Sequence, residues 1–269
     1  MKAAQGPGAR LGGLRLLTTA ATRGIGRAVA VESASEGAAV MLTGSRHASV
    51  QEAAAHAAAA AGPGGRVYGQ VLDVTDASSI AAGVAHARER LGGIDALFLN
   101  VPGARPGSLG QLSEADWLAA TEVYILSVLR LVRACEGDLR AAAPGRVVIV
   151  TSYAAIEAIP GLTLSNVLRP AVHALVRELA RHLGAAVLVN ALAPGRIDTE
   201  RVRDLDRASA EARGIGPDQV RAEQARAIAL GRYGLPEELA RVAVFLLSRE
   251  NTYVSGQCLL VDGGLVRSP

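Results

Sequence analysis

The sequence predicts an α/β protein: a single doubly wound parallel sheet with helices on both faces. Three observations lead there. Short apolar runs of strand length alternate along the chain with longer stretches of helical pattern. The strand runs are apolar at nearly every position, as burial on both faces of a parallel sheet requires. The first run passes through a glycine-bearing turn straight into a helix, as Thr19-Ala20-Ala21-Thr22-Arg23-Gly24-Ile25-Gly26. Regular alternation of this kind builds parallel sheets through helical crossovers.

In chain order, the expected strands are Leu14–Thr18, Ala38–Leu42, Arg66–Leu72, Ala96–Leu99, Arg146–Val150, Val187–Ala191 and Gln257–Val261. Between them, helical patterns cover Ile25–Glu36, Ser49–Ala61, Ser78–Leu91, Glu114–Ala141, Asn166–Leu183 and Pro236–Leu247. The alanine run at Ala53–Ala61 needs no special account, because alanine is the best helix former. One segment breaks the rhythm: 200–232 is polar, charged and interrupted by Gly214-Ile215-Gly216-Pro217. Ordinary connections are ~4–6 residues, so this one reads either as a mobile helical flap over a ligand site or as a surface insertion. Residues 1–13, rich in small residues and without an apolar signal core, read as a flexible tail and not a targeting peptide. That leaves 14–269 as one domain.

Composition narrows the function. Half the residues are hydrophobic and only 3% aromatic, so the core must be aliphatic. The net charge of +3 is carried almost wholly by arginine, with Lys2 the only lysine. No basic cluster with interleaved aromatics is present, which argues against a nucleic-acid partner. No apolar run reaches the ~18 residues of a membrane span. Cys135 and Cys258 stand far apart and outside any metal-like spacing; neutral thiols in a reducing cytoplasm, with no metal, is the expectation.

A glycine-bearing turn between strand and helix lets backbone approach a diphosphate at a helix N-terminus. This turn and several later segments together resemble the short-chain dehydrogenase/reductase family. Asp73-Val74 after the third strand is similar to the pair that holds an adenine ring. Asn100 resembles the first residue of an N-N-A-G motif, though Val101-Pro102-Gly103 follows it. Pro194-Gly195-Arg196-Ile197-Asp198-Thr199 is similar to the loop that covers a nicotinamide, with Asn190 fitting the strand before it. Gly256 and Val261-Asp262-Gly263-Gly264 resemble the closing strand. The resemblance runs from about Leu14 to Leu265 and implies a Rossmann fold with a nicotinamide dinucleotide. The implied cofactor set is Thr19, Ala20, Thr22, Arg23, Gly24, Ile25, Gly26, Asp73, Val74, Asn100, Pro194, Gly195, Ile197 and Thr199, with Ala20 where the family has glycine. It further implies a small-molecule substrate and a homodimer or homotetramer formed through Glu114–Ala141 and Asn166–Leu183.

Which dinucleotide follows from the end of the second strand. An acid there would hold the ribose hydroxyls of NAD, but the strand ends Thr43-Gly44-Ser45-Arg46. Ser45 and Arg46 suit a 2′-phosphate, since guanidinium pairs well with phosphate, and Arg23 offers a second contact. NADP is favoured over NAD.

The family's chemistry rests on an asparagine, a serine, a tyrosine thirteen residues later and a lysine four beyond that. The matching positions here hold Tyr124, Ser152, Ser165 and Arg169. Hydride added to a carbonyl creates a strongly basic alkoxide that needs a proton as it forms, and a positioned acid is worth ~10²–10⁴ in rate. An alkyl hydroxyl is far less acidic than a phenol, and arginine stays cationic. Hydride added to an enone gives a softer enolate that asks only for hydrogen-bond donors and fixed positive charge. The sequence therefore favours conjugate reduction of an activated C=C over reduction of a carbonyl.

Several alternatives stay open. Tyr124 or Tyr153 replaces the acid; Tyr124 merely fills space left by Ser165; Arg169 keeps only a ribose contact. A non-redox dehydratase, isomerase or cyclase, or a non-catalytic cofactor-binding homologue, are the competing classes. Arg105, Arg201, Arg203, Arg207 and Arg213 point to an anionic substrate or simply to solvent.

Overall fold

A computed structural model describes residues 10–267. Its strands are β1 (Arg15–Thr18), β2 (Ala39–Gly44), β3 (Arg66–Val71), β4 (Ala96–Leu99), β5 (Gly145–Val150), β6 (Val187–Pro194) and β7 (Cys258–Val261). All pair in parallel, in the order β3-β2-β1-β4-β5-β6-β7. The fold expectation holds.

Successive side chains of a strand point to opposite faces, and the two cores divide accordingly. Leu17, Met41, Leu97 and Leu99 enter the core beneath α3 (Ala77–Leu91), α5 (Ser127–Ala142) and α6 (Thr163–Leu183). Leu16, Val40, Leu42 and Phe98 enter the core beneath α1 (Gly24–Ser35), α2 (His47–Ala59) and α9 (Pro236–Leu247). Because the chain leaves β1 outward to β3 and returns to β4 on the other side, the crossovers diverge between β1 and β4. A crevice opens there at the carboxyl ends of the strands.

Helix ends follow their sequence signals. Asp76 caps α3 by accepting from the N–H groups of Ser78 and Ser79, and Gly92 ends it in the left-handed conformation (φ +76°). Pro217 and Pro236 open α8 (Pro217–Ala227) and α9.

Three expectations need correction. The long helix expected over Glu114–Ala141 is divided into α4 (Glu114–Thr121), a π turn at Glu122–Leu126, and α5. The Ser127 N–H reaches the Glu122 carbonyl, a five-residue step that composition does not encode. Next, α6 begins at Thr163 instead of Asn166, so Ser165 lies in its first turn. Finally, the tail expected over 1–13 does not hold at its last residues: Leu11 is buried in the α1–α9 core and Arg10 pairs with Glu36 at 2.6 Å, while residues 1–9 lie outside the described residues.

The segment at 200–232 is two helices, α7 (Glu200–Arg213) and α8, with Gly214 at φ +64° closing the first. Among the described residues, no helix is long and apolar enough to cross a membrane, and no His, Cys, Asp and Glu cluster could hold a metal.

Candidate active site

A cavity of about 900 Å³ occupies the crevice. Of the cofactor and catalytic positions expected from sequence, all but Thr19 and Gly26 line it. Those two stand behind the wall. Thr19 Oγ1 donates to the Asn100 carbonyl at 2.6 Å, and a Cβ on Gly26 would sit 2.6 Å from the Ala20 carbonyl oxygen. Gly26 is therefore glycine for packing of helix against turn.

At one end of the cavity, Ala20, Thr22, Arg23, Gly24 and Ile25 line the turn where β1 meets α1. No side chain caps α1 and no acid lies in its first turn, so its leading N–H groups and positive dipole end are free for an anion. Ala20 adopts φ +44°, where glycine is at home and an L-residue is strained by ~1–2 kcal/mol. Asn100 holds the turn in that shape, its amide donating to the Ala20 carbonyl at 3.0 Å. Asn100 thus acts through the backbone of the turn.

Ser45 and Arg46 lie exposed at the end of β2, and no ion pair to Arg46 occurs among the described residues. Asp73 folds its carboxylate back onto Thr75 (2.9 Å to the N–H, 2.7 Å to Oγ1), and Val74 is buried beside it. Across the crevice, Pro194, Gly195 and Ile197 continue from β6. Thr199 caps α7 with its Cγ2 3.3 Å from where a Gly24 Cβ would stand. Asn190 is spent inside the fold, bonding the Val254 carbonyl and the Gln257 N–H.

At the chemical end, Tyr124, Ser152, Tyr153, Ser165 and Arg169 converge. The π turn carries Tyr124, whose hydroxyl accepts from the Ala104 N–H at 2.6 Å and lies 3.3 Å from Ser165 Oγ. The Arg169 guanidinium carbon sits 3.9 Å over the Tyr124 ring centre, a cation–π contact. Arg169 is 7% exposed; Nη1 donates to the Val150 carbonyl at 2.8 Å, and Nε is buried without a partner. Burial pulls the guanidinium below its ordinary value. Burial works to raise the Tyr124 phenol, but the Arg169 charge and the contacts with Ser165 and the Ala104 N–H outweigh it, so the phenol is held below its ordinary range. The Tyr153 phenol is pushed up by burial, with Arg196 opposing. Ser152 Oγ accepts from the Ala154 N–H at 3.1 Å, which leaves its own proton free to donate.

The start of α7 lines one side of the cavity with Glu200, Arg201, Val202 and Leu205. Arg196 Nη1 pairs with buried Asp206 on α7 at 2.6 Å, and the Tyr233 hydroxyl donates to the same carboxylate at 2.9 Å. Asp198 takes Arg203 and Arg221, each at 2.9 Å. Arg23 and Glu200 bridge the glycine turn and α7 at 2.8 Å. Sequence reasoning missed the Arg196–Asp206–Tyr233 lock, because nothing in local spacing joins positions 196, 206 and 233.

The arginines suggested for an anionic substrate are mostly occupied. Arg105 pairs with Asp116 away from the cavity, Arg207 with Asp204 and Arg213 with Glu223. Arg201 alone of that group lines the cavity, donating to the Ala104 carbonyl at 2.9 Å.

This fold and this site define a nicotinamide-type α/β oxidoreductase, and comparison with known proteins agrees. A family model described as enoyl-(acyl carrier protein) reductase matches residues 19–266. The chain is 33% identical to a 3-oxoacyl-(acyl-carrier-protein) reductase of Thermotoga maritima, over 96% of this chain and 99% of that one. It is 36% identical to the short-chain reductase protein NovJ of Streptomyces niveus, over 92% of each. In structure it is similar to L-sorbose reductase from Gluconobacter frateurii, solved with NADPH and L-sorbose, at a TM-score of 0.88, 26% identity and 95% and 98% coverage. The chain belongs to the short-chain dehydrogenase/reductase family and is an oxidoreductase of that type.

Proposed function

We propose that this protein is an NADPH-dependent reductase acting on a carbonyl, or on a C=C conjugated to one, in a small molecule. One observation carries the reading. The hydroxyls of Ser152 and Ser165 and the buried charge of Arg169 line the inner part of the same cavity whose outer part holds Arg46. Hydride addition to either substrate puts negative charge on an oxygen, and donors and fixed charge at that oxygen are what stabilise it.

The residues fit a phosphorylated dinucleotide. The uncapped start of α1 would hold the diphosphate, Arg46 the 2′-phosphate, Asp73 and Val74 the adenine edge. Arg169, with its orphaned Nε, would meet the nicotinamide ribose. When bound, the reduced nicotinamide supplies the hydride. Ser152 and Ser165 orient the acceptor oxygen, and the flap helices α7 and α8 exclude water. The NADPH named with L-sorbose reductase supports the same cofactor choice.

Titration with NADPH and NADH tests the proposal. NADPH should bind more tightly, and Arg46→Ala should weaken it by about 10- to 100-fold, the ~1.5–3 kcal/mol of a hydrogen bond to a charged group, while NADH binding stays level. Oxidation of NADPH with a ketone and enone panel completes the test. Failure to bind either dinucleotide would defeat the proposal.

A further inference from the structure

We infer that Tyr124 is the proton source of this site, acting through Ser165, and that the natural acceptor is therefore a ketone or aldehyde; this rests on the reductase reading above. Four observations support it. The phenol occupies the inner wall of the cavity beside Ser165, with the two oxygens 3.3 Å apart. The phenol oxygen accepts from the Ala104 N–H at 2.6 Å, and Ser165 Oγ is the side-chain partner within reach of its own proton. The Arg169 cation lies over the ring at 3.9 Å and, among the described residues, no side-chain acid bonds to that guanidinium, so the charge left on the phenol after proton transfer is the one Arg169 compensates. Tyr124 is 1% exposed and sits in the π turn, a distortion that frequently marks functional positions.

The step balances. Hydride joins the carbonyl carbon, and the C=O π pair moves onto oxygen. That oxygen takes the Ser165 proton as Ser165 takes the phenolic one. The products are the alcohol, the oxidised dinucleotide and a Tyr124 phenolate faced by Arg169 and the Ala104 N–H. Once the alcohol leaves, water in the cavity returns a proton through the half-buried Ser165. Ser165 touches substrate; Tyr124 supplies it from behind. An alkyl hydroxyl too weak to be the acid thus serves as a conduit, which removes the reason for preferring an enone.

The charged groups facing the phenol are Arg169 from α6 and, one step beyond at the Ala104 carbonyl, Arg201 from α7. Both favour the ionised form, so ketone reduction should decline as pH rises through a value below that of an ordinary tyrosine.

The test uses Tyr124→Phe, which keeps the ring under Arg169, and Ser165→Ala. Each should lower ketone turnover by ~10²–10⁴ and lower the ratio of ketone to enone turnover. The alkaline limb of the ketone profile should vanish in Tyr124→Phe. NADPH affinity in each variant reports that the fold survives. Ultraviolet titration of the protein should show one phenol ionising early and lost in Tyr124→Phe. The inference is overturned if wild type oxidises NADPH with enones alone, if Tyr124→Phe reduces ketones at the wild-type rate, or if its alkaline limb is unmoved. In each of those results the reductase reading stands while the relay fails.

Discussion

The guanidinium of Arg169 lies 3.9 Å above the ring of Tyr124, with Nη1 on the Val150 carbonyl and Nε unpartnered. A ring face and one carbonyl are meagre compensation for a charge removed from water. The position is therefore held at a cost to stability, which is where functional demand shows.

Arg169→Met should expose that cost. Buried charges replaced by apolar residues of similar volume are often neutral or stabilising by ~1–4 kcal/mol, so the variant should unfold at equal or higher urea concentration. Removing the cation also removes what holds the Tyr124 phenol low, so the phenol should ionise later in an alkaline titration. A variant that is less stable, with an unmoved phenol, would show that the stack is ordinary packing.

The fold was legible because period and punctuation are local. Mostly apolar runs named every strand, β3 being the least apolar, and Gly214-Ile215-Gly216-Pro217 interrupts 200–232 where α7 gives way to α8. That the residues proposed for the dinucleotide share one cavity was legible for the same reason: they sit at strand ends, in order. The chemical end was not. Tyr124 and Ser165 come from different elements 41 positions apart, and their 3.3 Å approach depends on a π turn that leaves no compositional mark. The anchor at Arg10 and Leu11 is hidden in sequence by the glycines and alanine on either side of it.

Ala20 is strained for want of a glycine. At φ +44° an L-residue costs ~1–2 kcal/mol, and glycine costs ~0.5–1 in added unfolded-state freedom. Ala20→Gly should therefore be more stable by about 0.5–1 kcal/mol, a rise of roughly 1–4 °C in melting temperature for a chain of this size. Dinucleotide affinity should hold or improve, since the Asn100 bond to the Ala20 carbonyl persists. A fall in melting temperature would show that the methyl packs favourably.

One buried carboxylate ties α7 to Arg196 and Tyr233. Asp206 is 4% exposed and answers both Arg196 and Tyr233. Breaking a buried pair by removing one partner costs ~3–5 kcal/mol, so Asp206→Ala should release α7 and α8 locally. Limited proteolysis should cut within 200–232 far faster than in wild type, while the Arg23–Glu200 variant Glu200→Gln, at an exposed pair, should change little. Equal cutting of Asp206→Ala and wild type would place the flap's stability elsewhere.

Acid sensitivity should trace in part to His173. Its Nε2 lies 2.8 Å from both Thr151 Oγ1 and Cys258 Sγ, under the wall that carries Ser152. Burial, with Arg177 and Arg169 adding repulsion, lowers its pKa to about 4. An unfolded histidine titrates near ~6.5. Between those values the unfolded chain takes up a proton that the native imidazole refuses, so stability falls as pH drops from ~6.5 to about 4 and this contribution levels off below it. His173→Asn has no such proton to take up. Urea midpoints measured at several pH values should therefore slope less steeply in the variant than in wild type across that window, and converging slopes only below it. Parallel slopes throughout would mean that the imidazole is protonated alike in both states, and that the Thr151–His173–Cys258 contacts form with a charged ring.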